Sequence, residues 1–146
     1  MRCDWSSDVC SSELVRAQVW DHLHGFDAAT PLDDVDVIYF DAGNTEQSDE
    51  RRHEECLAAL CPQVPWSVKN QARMHQRNGD KPYRDTSDAL CHWLETPTAV
   101  AVRMADQERL ELLAPLGLDD LLALRIAPSP HALSRRLAAL PQRGPA

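Results

Sequence analysis

Asp34 and Asp36 stand at alternate positions in LDDVDVIYFD, at the head of a run of Val, Ile, Tyr and Phe. Four aspartates fall within residues 33–41, although Asp is depleted in sheets and should be there for a reason. In extended backbone alternate residues share a face, which sets Asp34 and Asp36 on one side, about 7 Å apart along the chain. Two carboxylates so placed can share a cation. Mg²⁺ takes oxygen ligands in octahedral geometry and commonly uses one or two protein carboxylates together with water and phosphate oxygens. Without a cation the acids repel and one pKa rises. A D-x-D match is short, however. It also arises where Asp33 and Asp34 merely turn the chain and Asp36 is exposed on an edge strand, so the pair alone leaves both readings open.

The next residues able to do chemistry lie further on. Residues 69–84 carry five bases, Lys69, Arg73, Arg77, Lys81 and Arg84, against the single acid Asp80, in a chain whose net charge is −8. Such a local inversion suits a triphosphate or an RNA phosphate, or else a solvated strand face followed by a loop. Lys69 and Arg73 are expected on one strand face and are the better phosphate contacts. Asn70 is the anomalous polar residue of that strand and needs a partner if buried. His22, His24, His53, His75 and His92 show no HExxH spacing, and structural roles are expected for them. The cysteines Cys3, Cys10, Cys56, Cys61 and Cys91 form neither an even framework nor paired CxxC knuckles, and reduced thiols are expected. Trp20, Trp66 and Trp93 fall at packing positions.

The elements that must position these groups follow from periodicity. Leu14, Val15, Val19, Trp20 and Leu23 recur at helical spacing before Gly25, which predicts a first helix. A Pro31-containing connector leads to a strand over 35–40. DAGNTEQSDE turns the chain into a second helix, capped by Ser48 or Asp49 and ended by Pro62. WSVKNQARMH alternates in polarity and predicts a strand over 66–75. A loop around Asn78-Gly79 leads to a short helix capped by Asp85 or Thr86. TAVAVRM and RLELLAP form a hairpin, and two helices follow before a fraying tail. The order predicts an α/β or α+β domain, with one sheet and helices against it.

Composition bounds the classes. At 146 residues, 43% hydrophobic and 26% charged, the chain is the size of one domain with its own core. It has no 18-residue apolar run and no secretory-signal pattern, so a cytoplasmic protein without membrane partners is expected. The acidic balance argues against coating nucleic acid, and no DNA-specific binding is expected. Residues 1–14, MRCDWSSDVCSSEL, have no sustained period and resemble translated sequencing-adapter read-through. The expected division is therefore a foreign leader over 1–14, a domain over 15–130, and a C-terminal helix and tail over 131–146.

VWDHLHGFD, LDDVDVIYFD, PWSVKNQARMH, NGDKPYRDTSDALCHW, ETPTAVAVR and LLAPLGLDDLLALRIAPSP together resemble a small bacterial nucleotidyltransferase-like family of the polymerase-β superfamily, over about residues 15–130. The resemblance implies a polymerase-β-type nucleotidyltransferase fold, a small mixed sheet flanked by helices, here N-terminally truncated. It implies transfer of a nucleoside monophosphate from an NTP to an acceptor hydroxyl, with pyrophosphate leaving. The superfamily's two acids on one strand match Asp34 and Asp36, which would ligate one or two Mg²⁺ ions. Two such ions stabilise attacking and leaving oxygens together. Lys69, Arg73, Asn70 and Arg16 would contact the nucleotide. The chain departs from the pattern in two places. A small-residue phosphate turn belongs just before Val15, where SSEL stands, which implies weak or no activity for this chain. Asn70 stands where a third acid is expected, unless Glu95, Asp119 or Asp120 supplies one. Those departures keep a non-catalytic nucleotide- or RNA-binding module as the alternative. The acceptor, whether RNA, protein or small molecule, is not legible.

Overall fold

A computed structural model describes residues 10–11 and 13–139. The chain runs β1 (Cys10–Ser11), α1 (Glu13–His24), β2 (Val35–Tyr39), α2 (Gln47–Leu60), β3 (Trp66–Asn70), α3 (Gln71–Asn78), α4 (Thr86–Cys91), β4 (Ala101–Met104), β5 (Leu110–Leu113), α5 (Asp119–Leu122) and α6 (Pro130–Ala139). The strands form one five-stranded sheet in the order β3-β2-β1-β4-β5. β2 and β3 are parallel, joined by the α2 crossover, and the other pairings are antiparallel.

The sheet is buried on two faces because β2 is apolar on both. Val37 and Tyr39 lie on one face with Val68 of β3, under Leu57 of α2 and Trp66. Ile38 lies on the other with Leu90 and Ala101, packed by Trp93 and Leu113. The near-continuous apolar run of β2 is what a strand covered on both sides requires. α1 is tied to α5 by Trp20, whose indole N–H donates to the Leu121 carbonyl at 2.9 Å.

Several sequence expectations are corrected. The leader was expected to contribute no strand, yet Cys10 and Ser11 pair with Ile38 and Val37 on one side, and Ser11 pairs with Val102 on the other. β1 is thus central, and β2 has no open edge there. The strand over 66–75 ends at Asn70, whose side chain accepts from the Ala72 N–H and starts α3. Polarity alternation over 71–75 fits either period in so short a window, and the cap decides it for helix. Gly79 closes α3 in the left-handed region, at φ 71°. α2 begins after Glu46, which makes no side-chain cap bond, rather than at Ser48 or Asp49. Asp85 does cap α4, accepting from the Asp88 N–H at 2.7 Å. Cys56 is disulfide-bonded, against the expectation of reduced thiols, while Cys61 and Cys91 are free. Cysteine spacing does not determine which thiols a fold brings together. Among the described residues no helix is long and apolar enough to cross a membrane.

Candidate functional site

The parallel register sets the chemistry of β2 against β3. Asp36 is opposite Ser67 and Ile38 opposite Lys69, so Asp36, Ser67 and Lys69 project from one face of the sheet. Asp34 precedes the strand by one residue and is exposed, whereas Asp36 is half-buried. Burial first, and the neighbouring Asp34 charge second, raise the Asp36 carboxyl above its ordinary range; the Ser67 hydroxyl and the Lys69 charge pull the other way without cancelling the rise. Neither acid forms an ion pair among the described residues. A half-buried Asp36 carboxyl beside the Asp34 charge, with no ion-pair partner among the described residues, is in the state that a divalent cation relieves.

β1 runs antiparallel to β2, so its end and the start of α1 lie at the end of β2 where the acids are. Only Ser12 separates β1 from α1. Arg16, one turn into α1, lines a 490 Å³ hollow together with Asp33, Asp34 and Trp20. Its guanidinium stacks 5.5 Å from the Trp20 ring and lies 3.9 Å from Glu95. The Lys69 ammonium makes no ion pair among the described residues and is the cation nearest in register to Asp36.

Two of the expected nucleotide contacts are committed elsewhere. Asn70 is fully buried at the opposite, carboxyl end of β3. Its Oδ1 accepts from Asp41 N–H at 3.0 Å and Ala72 N–H at 3.0 Å, and its Nδ2 donates to the carbonyls of Asp41 at 2.9 Å and Asn44 at 3.0 Å. Those bonds use every hydrogen-bonding position of the amide and leave none for a metal or phosphate. Arg73 lies on α3, not on a strand face with Lys69, and forks onto Glu50 at 2.7 and 2.6 Å. Burial would raise the Glu50 carboxyl, but Arg73 and the Asn70 N–H outweigh it and hold it below its ordinary value. Asn70, Glu50 and Arg73 therefore form one buried polar hub that locks the 41–46 loop to the β2–β3 edge.

The hub was the part of the motif that sequence reasoning misassigned. Its signal was present, since an acid at Glu50 on the inner face of α2 and an Asn on β3 both needed buried partners. Of the alternative acids, Asp120 accepts from the Thr96 hydroxyl at 2.6 Å and pairs with Arg125 at 3.3 Å, and Asp119 is exposed. Among the described residues no group of three or more His, Cys, Asp or Glu is placed to hold a metal ion, so no third acid joins Asp34 and Asp36.

A family model described as Nucleotidyltransferase matches residues 7–141. No curated protein matches the chain. An NMR structure described as revealing a CCA-adding enzyme head domain is similar at 30% identity, covering 94% of this chain and 75% of that one, with a TM-score of 0.73. The mixed sheet flanked by helices is thus similar to that head domain, and the family match begins upstream of β1. The chain belongs to the nucleotidyltransferase family.

Proposed function

We propose that the protein transfers a nucleoside monophosphate from an NTP to an acceptor hydroxyl, with the NTP phosphates held at the end of β2 that carries Asp34 and Asp36. The acid pair carries the reading: two carboxylates, mutually repelling and in no ion pair among the described residues, fit the hard-oxygen donor set of Mg²⁺. When bound there, Mg²⁺ would supply charge compensation for the phosphate oxygens. Lys69 and Arg16 flank the acids and orient the triphosphate by charge-assisted hydrogen bonds. In the transfer the acceptor oxygen bonds to the α-phosphorus. The bond from that phosphorus to the bridging oxygen breaks with its electron pair on pyrophosphate, and the hydroxyl proton passes to solvent. A site of this kind works mainly by positioning and electrostatics. Slow turnover is expected of this chain, because the sequence just before Val15 is SSEL and supplies no glycine with which a turn could bring backbone N–H groups close to a phosphate.

The test is calorimetric titration with Mg²⁺ and each NTP, alongside pyrophosphate release. Mg²⁺-dependent nucleotide binding that Asp36→Ala abolishes supports the assignment, and nucleotide binding indifferent to Asp36→Ala rejects it. Binding without any pyrophosphate release would favour a nucleotide- or RNA-binding module. The absence of a third acid beside Asp34 and Asp36 among the described residues is the observation on that side.

A further inference from the structure

A second cavity, of 400 Å³, also borders Arg16, and it is lined by Arg135 of α6, Asn78 at the end of α3, His92, Thr98 and Glu95. Arg16 lines both this cavity and the one that reaches Asp34. We propose that this second cavity receives the acceptor, and that the acceptor is a small phosphorylated polyol. The proposal rests on the reading of the acid pair as the NTP site.

The lining supports that class of ligand. Two guanidiniums converge on one hollow of a chain with net charge −8, and Arg135 makes no ion pair among the described residues. A planar guanidinium fork matches a phosphate bidentately. Asn78 spends one amide hydrogen on the Tyr83 hydroxyl, at 3.2 Å, and keeps its carbonyl oxygen and second hydrogen for a ligand. His92 donates Nδ1–H to the Asp88 carbonyl at 2.8 Å, which in the neutral ring leaves Nε2 as an acceptor for a hydroxyl. Glu95 adds a carboxylate, which binds hydroxyls and not phosphate. Arg135 and the Asn78 amide for phosphate oxygens, with Glu95, beside Arg16, and His92 as acceptors for hydroxyls, describe a phosphate on a polyol rather than a bare anion.

The wall is also held in place before any ligand arrives. His92 packs between Tyr83, at 4.7 Å, and His131, at 4.6 Å, while Asp80 takes the Tyr83 hydroxyl at 2.5 Å and faces His131 at 3.2 Å. These contacts fasten the α3 end, α4 and α6 to one another and fix where Asn78 and Arg135 stand. The volume lies within the range for small-molecule pockets. Displacement at phosphorus needs the acceptor and the leaving group on opposite sides. Two hollows that meet at one arginine provide separate places for the nucleotide and the acceptor.

The experiment titrates the full chain with ribose 5-phosphate, glucose 6-phosphate and glycerol 3-phosphate, with ribose and inorganic phosphate as controls. At least one phosphorylated polyol is expected to bind about tenfold tighter than either control, and Arg135→Ala to weaken it about tenfold or more, the loss of a charge-assisted hydrogen-bond pair. Arg135→Lys should recover part of the loss. Mg²⁺·NTP binding should stay within twofold in Arg135→Ala. Arg135 is exposed on α6, so the variant should keep its thermal midpoint, which is measured alongside. Asp36→Ala separates the two readings: it should remove NTP binding and leave polyol phosphate binding within twofold. NTP binding that survives Asp36→Ala overturns the NTP assignment and not the pocket. The pocket proposal is overturned if no polyol phosphate binds, if binding ignores Arg135→Ala, if Arg135→Ala weakens NTP equally, or if only an RNA oligonucleotide shows the Arg135 dependence.

Discussion

Replacing Asn70 by Asp separates a structural amide from a ligand position. The amide is fully buried, and its Nδ2 donates to the carbonyls of Asp41 and Asn44. Asp at this position keeps an oxygen for the N–H groups of Asp41 and Ala72 but turns an acceptor toward two carbonyl oxygens. Leaving those carbonyls unpaired and burying a charge beside Glu50 should cost about 4 kcal/mol, counting 1–3 for the unsatisfied groups and the remainder for the charge. In a domain whose total stability is of order 5–15 kcal/mol that is a large fraction, and at roughly 3 °C per kcal/mol it lowers the melting temperature by about 10 °C. Asn70→Ala should cost less, about 2 kcal/mol, because Asp41 and Asn44 are exposed and water can replace part of what is lost. Thermal and urea unfolding followed by circular dichroism at pH 7 measures both. If Asp at position 70 supplied a missing metal ligand, the variant would instead bind Mg²⁺ more tightly and keep its stability, and that result would refute the hub.

Other perturbations follow from the same structure. Glu50→Gln breaks the buried fork to Arg73 and should cost about 3–5 kcal/mol in urea unfolding. Because the Glu50 carboxyl is held below its ordinary value of 4.5, its contribution is full above that pH and lost as pH falls through the depressed value. Acid unfolding curves should therefore be steeper for the wild type than for Glu50→Gln. Asp36 has the opposite sign: its raised carboxyl favours the fold below the ordinary 3.8, and that contribution is lost as pH rises through the raised value. Asp36→Asn should thus raise the melting temperature at pH 7, and Mg²⁺ should raise that of the wild type but not of the variant. Gly79→Ala places a side chain at φ +71° with no atom within 4 Å of the new Cβ, so only backbone strain acts, at about 1 kcal/mol by urea titration.

The elements with long, regular patterns were legible. α1, α2 and the β4–β5 hairpin stand where periodicity and turn residues put them, and the D-x-D pair was visible because carboxylates in a strand oppose local propensity. What escaped was decided by tertiary partners. The 66–75 segment alternates in polarity over a window too short to distinguish a strand from a strand followed by a capped helix. Once Asn70 turns its amide onto Ala72 N–H, Arg73 points at Glu50 rather than along the face of Lys69. β1 lay in a stretch without periodicity, and a two-residue strand carries none. The cavity walls came from α3, α4 and α6, whose juxtaposition no local spacing records.

Paramagnetic Mn²⁺ added with NTP to the isotopically labelled protein tests the acid pair most directly, through the backbone amide signals it broadens. Broadening that begins at residues 34–36 and Ser67, and disappears in Asp36→Asn, is the predicted result. Broadening that centres on the 41–46 loop, or that persists in Asp36→Asn, would contradict the placement of the nucleotide site at Asp34 and Asp36.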